Sequence, residues 1–133
     1  MIPPFDDSVW LPPGVHNATL AEIEDRFGRQ SELRRVQMES VRWMVELAVR
    51  AGVQRIVLNG SFVTDIMDPN DVDCVLLVPD GFPREAAAEE ELVQGLPFLD
   101  ISLVTQPDFE ELVNVTFASN RYGSPKGVVE VVP

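Results

Sequence analysis

The residues best suited to chemistry are two aspartates, Asp71 and Asp73, that begin an apolar run near the middle of the chain. Residues two apart in a β-strand point to the same face, so their carboxylates are expected side by side, where hard oxygen ligands could share one or two Mg²⁺ ions. At the mouth of an apolar strand, two carboxylates repel and desolvate each other unless a cation neutralises them. The pair therefore predicts a divalent metal site.

A third carboxylate, Asp100, lies alone between Leu99 and Ile101 in a segment that is otherwise apolar and expected to be core. If this segment pairs with the strand that carries Asp71 and Asp73, three carboxylates converge. Asp71 by itself could simply bracket a turn, a common use of aspartate in loops. That interpretation does not explain Asp73 and Asp100, and we therefore expect all three to be metal ligands.

A Gly60-Ser61 pair closes the apolar run that precedes the aspartates. Glycine allows a backbone to approach a ligand closely, and the following N–H groups, together with the Ser61 hydroxyl, can hold phosphate oxygens. Ser61 could instead cap a short helix, a role that is compatible with phosphate binding. Phosphate binding next to a metal site indicates a nucleotide.

The elements that must position these residues are predicted by hydrophobic periodicity. Four prolines within residues 1–14 forbid a helix and favour an extended arm that packs by its aromatic residues. Helices are predicted over residues 19–27, 31–51, 85–92 and 107–117, and strands over 55–58, 72–78 and 98–104, with 128–132 as an edge strand. The strand at 72–78 is apolar on both faces, which is typical of a central position. The expected fold class is α/β: one domain over residues 1–133, with a small mixed β-sheet of four or five strands flanked by helices.

The longest predicted helix, over residues 31–51, carries an apolar stripe that begins with Leu33 and Val36. Its four arginines are expected on the solvated face, without a chemical role: Arg34, Arg35, Arg42 and Arg50. The single histidine, His16, is expected to make a structural hydrogen bond. The single cysteine, Cys74, is expected to be a small buried hydrophobic residue.

The composition limits the partners and the compartment. The chain has 22 acidic and 10 basic residues and a net charge of −12, so non-specific binding to duplex DNA is disfavoured. Such a charge suits carboxylates that hold cations, or a basic protein partner, or solubility alone. One cysteine excludes an intramolecular disulfide, and no apolar stretch approaches the roughly 18–20 residues that span a bilayer. We expect a cytoplasmic protein that does not enter a membrane.

Taken together, these residues resemble the nucleotidyltransferase superfamily of the DNA polymerase beta type. Its signature is an apolar strand, Gly-Ser, a spacer that is nine residues long here, Asp-x-Asp and a later third Asp. The longer matching segments are Leu58-Asn59-Gly60-Ser61-Phe62-Val63-Thr64, Pro69-Asn70-Asp71-Val72-Asp73 and Pro125-Lys126-Gly127. They are similar to an uncharacterised family of short bacterial proteins related to the minimal nucleotidyltransferases, and the resemblance spans most of the chain.

The resemblance implies a role for each matching residue. Gly60 and Ser61 would bind the triphosphate of an NTP, with ATP as the expected nucleotide. Asp71 and Asp73 would ligate Mg²⁺ or Mn²⁺, and Asp100 would ligate one metal and activate the acceptor hydroxyl. Minimal nucleotidyltransferases often carry an arginine shortly after Gly-Ser, whereas this spacer contains no basic residue. Lys126 or Arg121, from the loop before the last strand, would then supply the missing positive charge.

Two functions follow as expectations. The first is an enzyme, a metal-dependent nucleotidyltransferase that moves a nucleoside monophosphate from an NTP to a hydroxyl acceptor. The alternative is a catalytically weak or inactive nucleotidyltransferase-like binding module, such as the antitoxin of a toxin–antitoxin pair, that covers a basic partner. An enzyme must bind a metal–NTP complex and turn it over, whereas a binding module need not.

Overall fold

The computed structural model describes residues 1–6, 9–120 and 122–133 and has a mixed α/β architecture. A five-stranded sheet consists of β1 (Gly14–Thr19), β2 (Arg55–Asn59), β3 (Val72–Leu77), β4 (Leu99–Val104) and β5 (Gly127–Val132). The α-helices are α1 (Leu20–Phe27), α2 (Glu32–Ala51), α3 (Ala86–Gln94) and α4 (Gln106–Glu111). The predicted α/β class with a small mixed sheet is confirmed.

Local hydrogen bonds explain where the first two helices begin and end. The Glu22 backbone N–H donates to the Thr19 hydroxyl at 3.2 Å, and the Thr19 N–H donates to the Glu22 carboxylate at 3.0 Å, which completes a capping box. Ser31 caps α2 by accepting from the Arg34 N–H at 3.1 Å. The helix ends at Gly52, whose φ of 90° is left-handed. Both predicted helices are confirmed.

The sheet has the order β1-β5-β2-β3-β4. Strand β2 runs antiparallel to both β3 and β5, whereas β3 is parallel to β4, and β1 is parallel to β5. The interior position of β3 agrees with the prediction from its apolar faces. Parallel pairing of β3 with β4 places Asp73 opposite Asp100, so the pairing required by the metal-site hypothesis is present.

The prediction that the last strand lies at an edge is wrong. Strand β5 lies between β1 and β2, and its residues Val128, Val129 and Val131 are buried. The edge is formed instead by β1, which the sequence did not predict. In β1 only Ala18 is buried, and an edge strand of this kind has no apolar alternation to mark it.

Two helical predictions also need correction. The buried face of α2 begins with Arg34 and Gln37, whereas Val36 is exposed. At its start, the predicted apolar stripe is therefore displaced by one residue from the face that packs against the core. The helix predicted over residues 107–117 is α-helical only to Glu111. The chain then widens into a π-helical turn over Leu112–Thr116.

The core is divided between the two faces of the sheet. On one face, α1, α2 and α3 cover alternate residues of the strands, among them Leu58, Cys74 and Leu76. On the other face, Phe109 of α4 and Val113 of the π-helical turn cover Val57, Val75, Leu77 and Val128. Within the described ranges, no helix is long and apolar enough to cross a membrane.

Candidate functional site

Three polar residues form a row across neighbouring strands at one end of the sheet. Asn59 ends β2 and is paired with Asp73 of β3, which is itself paired with Asp100 of β4. Directly paired residues project to the same face of a sheet, here the face that α4 covers further along the strands. The row therefore places an amide and two carboxylates side by side. Asp71 lies two residues before Asp73 in the chain, just before β3 begins.

Gly60 brings the turn that it forms with Ser61 into contact with the Asp73 carboxylate. Its backbone has a φ of 84°, in the region that favours glycine, and it is followed by a short 3-10 helix over Ser61–Val63. A Cβ atom at Gly60 would lie 2.5 Å from the Asp73 carboxylate oxygen Oδ2. Only glycine leaves room for the carboxylate against the turn. The two halves of the motif, separated by the nine-residue spacer, are thus in contact.

The spacer between Ser61 and Asp71 is held against the N-terminal part of α2. The Ser31 hydroxyl donates to the Met67 carbonyl at 3.1 Å, and the Gln37 amide donates to the Pro69 carbonyl at 2.6 Å. These bonds fix the path of the second half of the spacer, where Ile66 and Met67 are exposed and provide no apolar anchor. The spacing between Gly-Ser and Asp-x-Asp is therefore set by α2.

Arg34 makes most of the hydrogen bonds between α2 and the spacer. The prediction that it lies on the solvated face of the helix is wrong. Its side chain is 1% exposed, and all three guanidinium nitrogens donate to backbone carbonyls. The accepting carbonyls and their shortest distances are those of Phe27 at 3.0 Å, Ser61 at 3.4 Å, Phe62 at 2.7 Å, Thr64 at 2.9 Å and Ile66 at 2.5 Å. Burial lowers the pKa of Arg34. A guanidinium suits this task because its five N–H groups form a fixed fork.

The carboxylates influence one another electrostatically. Burial raises the pKa of the Asp73 carboxyl, and the charges of Asp100 and Asp71 raise it further. Lys126 acts on Asp73 in the opposite direction. Asp71 and Asp100 are exposed, whereas Asp73 is half-buried. Asp100 lies on the edge strand β4, so the expectation that it sits within core is wrong.

The carboxylates have the chemistry of a Mg²⁺ site but not a closed ligand cage. In residues 1–6, 9–120 and 122–133, no three His, Cys, Asp or Glu side chains are arranged so that they could hold a metal ion. The strand register places Asp73 beside Asp100, and Asp71 lies two residues before Asp73, but the convergence of all three carboxylates on one metal ion stays a prediction. Because Asp71 and Asp100 are exposed, their rotamers can change without disturbing the core. The donor set therefore fits a hard divalent cation, although these side chains would have to close around it.

Lys126 lies at the same end of the sheet, immediately before β5. Its side chain is only 6% exposed, and Nζ donates to the Asn59 side-chain oxygen. The ammonium also lies 5.9 Å from the centroid of the Trp10 ring. Burial lowers the pKa of Lys126 to about 8. The lysine that the resemblance offered as a phosphate ligand thus stands beside Gly60 and Asp73. The other candidate, Arg121, lies outside the described residues.

A cleft of about 380 Å³ opens beside the glycine turn. Its lining combines one ammonium, one carboxylate, several amides and hydroxyls, and an aromatic ring. The lining residues are Trp10, Asn59, Gly60, Ser61, Ile66, Asp68, Pro69, Asn70, Ser119, Asn120 and Lys126. Three of the predicted site residues, Gly60, Ser61 and Lys126, therefore share one cavity, and the Asp73 carboxylate adjoins it at Gly60.

Three residues that matter for this geometry were not predicted as site residues. Arg34 could have been found by extending the buried α2 stripe backwards from Val41 through Met38, since positions three or four apart share a helix face. Asn59 belonged to the quoted motif but was given no role. Trp10 was predicted only to pack, because the sequence does not show that the N-terminal arm reaches the start of β5. In the structure, Gly127, the first residue of β5, donates its N–H at 3.0 Å to the carbonyl of Leu11, the residue that follows Trp10.

The only histidine and the only cysteine are structural, as predicted. His16 Nε2 is hydrogen-bonded to the Pro12 carbonyl at 2.7 Å. Cys74 is 1% exposed, and burial raises the pKa of its thiol, so it is not a nucleophile.

Comparisons with known proteins give one match, which is to a family model. Neither the curated proteins nor the solved structures provide a match. A family model described as a family of unknown function, DUF6932, matches residues 3–132, which is nearly the whole chain. The chain belongs to the DUF6932 family.

Proposed function

We propose that this protein is a metal-dependent nucleotidyltransferase that moves a nucleoside monophosphate from an NTP, with ATP as the expected donor, to a hydroxyl acceptor. The observation that carries the proposal is the contact between Gly60 and Asp73, which joins a turn able to bind phosphate to a row of carboxylates. Phosphoryl-type transfer needs positioning and neutralisation of charge more than it needs covalent chemistry. The site contains the groups for both tasks.

The triphosphate would lie against the turn. Ser61 would offer its hydroxyl and the neighbouring backbone N–H groups, while glycine at position 60 leaves room for the Asp73 carboxylate beside the turn. Lys126, which lines the cleft together with Gly60 and Ser61, would supply the positive charge that the spacer lacks. Because its ammonium is buried, its attraction for phosphate is screened less than that of a surface lysine.

Asp71, Asp73 and Asp100 would hold Mg²⁺ or Mn²⁺ once their side chains close around it. A bound divalent ion would neutralise the charge that develops on the phosphate oxygens and the leaving pyrophosphate. Asp100, which lies on the edge strand β4, would accept the proton of the acceptor hydroxyl. The acceptor oxygen then bonds to the α-phosphorus as the bond to the bridging oxygen breaks, and pyrophosphate leaves with that electron pair.

A second candidate function is a nucleotidyltransferase-like binding module with weak or absent catalysis, such as an antitoxin. It is favoured by the lack of a ready-made three-ligand group in the described part of the chain, and by Lys126, which already offsets part of the charge on Asp73. The net charge of −12 would then serve to bind a basic partner. For either function we propose a cytoplasmic location, in which the single buried Cys74 stays reduced.

Transfer of label separates these functions. The purified protein is incubated with cell lysate and each α-³²P-labelled NTP at millimolar concentration, with Mg²⁺ or Mn²⁺, and acceptors are separated on gels. We expect metal-dependent labelling that is lost in the D71N/D73N variant. The matched control, D80N/D108N, removes two carboxylates elsewhere on the chain and should keep full activity. Absence of labelled product with all four NTPs and both metals would contradict the enzyme and favour the binding module.

A further inference from the structure

The cleft beside Gly60 and Ser61 is not lined by the three predicted metal ligands. Its lining includes the turn and Lys126 but none of Asp71, Asp73 and Asp100. Across the sheet, the carboxylates belong to β3 and β4, whereas Lys126 precedes β5 on the other side of β2. The turn therefore separates an acidic side of the site from a cleft side.

The lining of the cleft combines two kinds of chemical group. Near the turn stand the groups that suit phosphate, namely Ser61 and the Lys126 ammonium. The remaining wall has no second cation among the described residues. It is formed by the Trp10 ring, the apolar side chains of Ile66 and Pro69, and hydrogen-bonding groups of Asp68, Asn70 and Asn120. An aromatic and apolar wall with a few polar groups is suited to a planar, partly polar organic group and not to further phosphates.

We propose that this cleft is the nucleoside subsite, in which Trp10 is the aromatic wall for the base of the bound nucleotide. The inference rests on the proposed function and specifies how the substrate lies. The base and ribose occupy the cleft on the β5 side, the phosphates pass the turn, and the α-phosphorus faces the carboxylates. The acceptor then approaches from the open edge at β4. The proline-rich arm acquires a role in substrate binding that its sequence did not indicate.

The dimensions and the aromatic wall support this assignment. A volume of about 380 Å³ falls within the range of small-molecule sites. Trp10 lies close to the phosphate-binding end, since its ring centroid is 5.9 Å from the Lys126 ammonium. A single nucleotide can therefore reach both groups. Stacking of a base on an aromatic side chain corresponds to a change in affinity of about 5-fold to 150-fold.

Fluorescence can report on Trp10 alone. The chain has two tryptophans, and Trp43 is a 47% exposed residue of α2 that does not line the cleft. In the W43F background, Mg²⁺-ATP and Mg²⁺-tripolyphosphate are titrated separately. We expect ATP to quench Trp10 strongly, whereas tripolyphosphate, which has no base, should bind with little quenching. Equal quenching by the two ligands would overturn the proposal.

Substitution of the ring gives the decisive comparison. In calorimetric titrations, W10L should weaken ATP binding about 5-fold to 150-fold and leave tripolyphosphate binding unchanged, while W10F should retain most of the ATP affinity. The unchanged tripolyphosphate affinity also shows that the variant is folded around Lys126. If W10L weakens neither ligand or both equally, the nucleoside subsite is wrong while nucleotide binding stands. If the wild type binds neither ligand, the proposed function itself fails.

Discussion

Two buried cations flank the turn at Gly60 and Ser61, and they are held in different ways. Arg34 lies behind the turn and uses all of its guanidinium nitrogens on five backbone carbonyls. Lys126 lies in front of it, in the cleft, and its hydrogen bond among the described residues goes to the Asn59 side chain. An ammonium has three donors, so Lys126 retains capacity that Arg34 does not.

We interpret the difference as that between a charge that stabilises the fold and a charge that is available to a ligand. A buried cation whose donors are all satisfied by backbone stabilises one loop conformation and offers nothing to a ligand. A buried cation with capacity for further bonds, facing a cleft, gains from an incoming anion, because the anion restores the interactions lost on burial. Arg34 should therefore control folding, and Lys126 should control binding. The predictions below test this division, beginning with the largest effect.

The largest expected effect on stability is that of R34M. The substitution removes the guanidinium donor from four carbonyls of the turn and spacer and from that of Phe27 at the end of α1, so we expect a loss of about 3 kcal/mol or more in the free energy of unfolding, measured with urea. The matched control is R55M. Arg55 is half-exposed, pairs with Glu130 at 2.5 Å and stacks on Phe109, so its loss should cost only about 1 kcal/mol. Equal destabilisation by both variants would refute a special role for Arg34.

A smaller effect is expected for G60A, which tests the turn between the two cations. Alanine in this conformation costs about 1–3 kcal/mol, and its Cβ would also displace the Asp73 carboxylate. G95A is a close control, because Gly95 has a similar backbone conformation, with φ 93° and ψ 160°, but nothing within 4 Å of an added Cβ. Both variants should lose stability, while only G60A should lose nucleotide binding. If G95A abolishes binding as well, the Gly60–Asp73 contact is not the cause.

The pH dependence of stability should reveal Lys126. Burial lowers its pKa from 10.5 to about 8, so between these values the unfolded chain binds more protons at this lysine than the folded chain does. Its contribution to the free energy of unfolding therefore rises with pH, by up to about 1.4 kcal/mol per pH unit. Urea unfolding of wild type and K126M from pH 7.5 to 10.5 isolates this contribution as the difference between the two slopes. Parallel profiles would mean that Lys126 is solvated.

The smallest effect is expected for D73N without divalent metal. Burial and the neighbouring carboxylates raise the pKa of Asp73, so its ionised form opposes folding at neutral pH, and removing the charge should stabilise the protein by about 0.5–1 kcal/mol. This destabilising effect of Asp73 should appear as pH rises through its ordinary and raised pKa values. Added Mg²⁺ should raise the melting temperature of the wild type but not that of D73N. A marked loss of stability in metal-free D73N would show that Asp73 is structural.

Much of the fold could be predicted because local signals and periodicity agreed. Capping residues marked α1 and α2, and the doubly apolar β3 indicated its interior position. Strand β1 could not be found in this way, since its pairing with β5 joins distant segments and only Ala18 is buried. An edge strand held by backbone hydrogen bonds has no side-chain pattern to announce it.

The candidate site was predicted unevenly, for a physical reason. Gly60 and Asp73 belong to a motif of short-range spacing, which is visible in the sequence, and Asp100 is conspicuous as a lone charge in an apolar segment, although only the structure shows that it pairs with Asp73. The roles of Arg34 and Lys126 depend on burial, which only tertiary contacts decide. Charged side chains are most often solvated, whereas Arg34 and Lys126 are both buried, on either side of the same turn.

The most direct test of the central claim is a calorimetric titration of ATP into the wild-type protein with and without Mg²⁺ at neutral pH. If the turn, the carboxylates and Lys126 form one nucleotide site, binding should require Mg²⁺, disappear in D71N/D73N and weaken at least tenfold in K126M, while the folded control D80N/D108N binds as the wild type does. Absence of Mg²⁺-dependent binding at millimolar ATP, in a protein that is otherwise folded, would contradict the account.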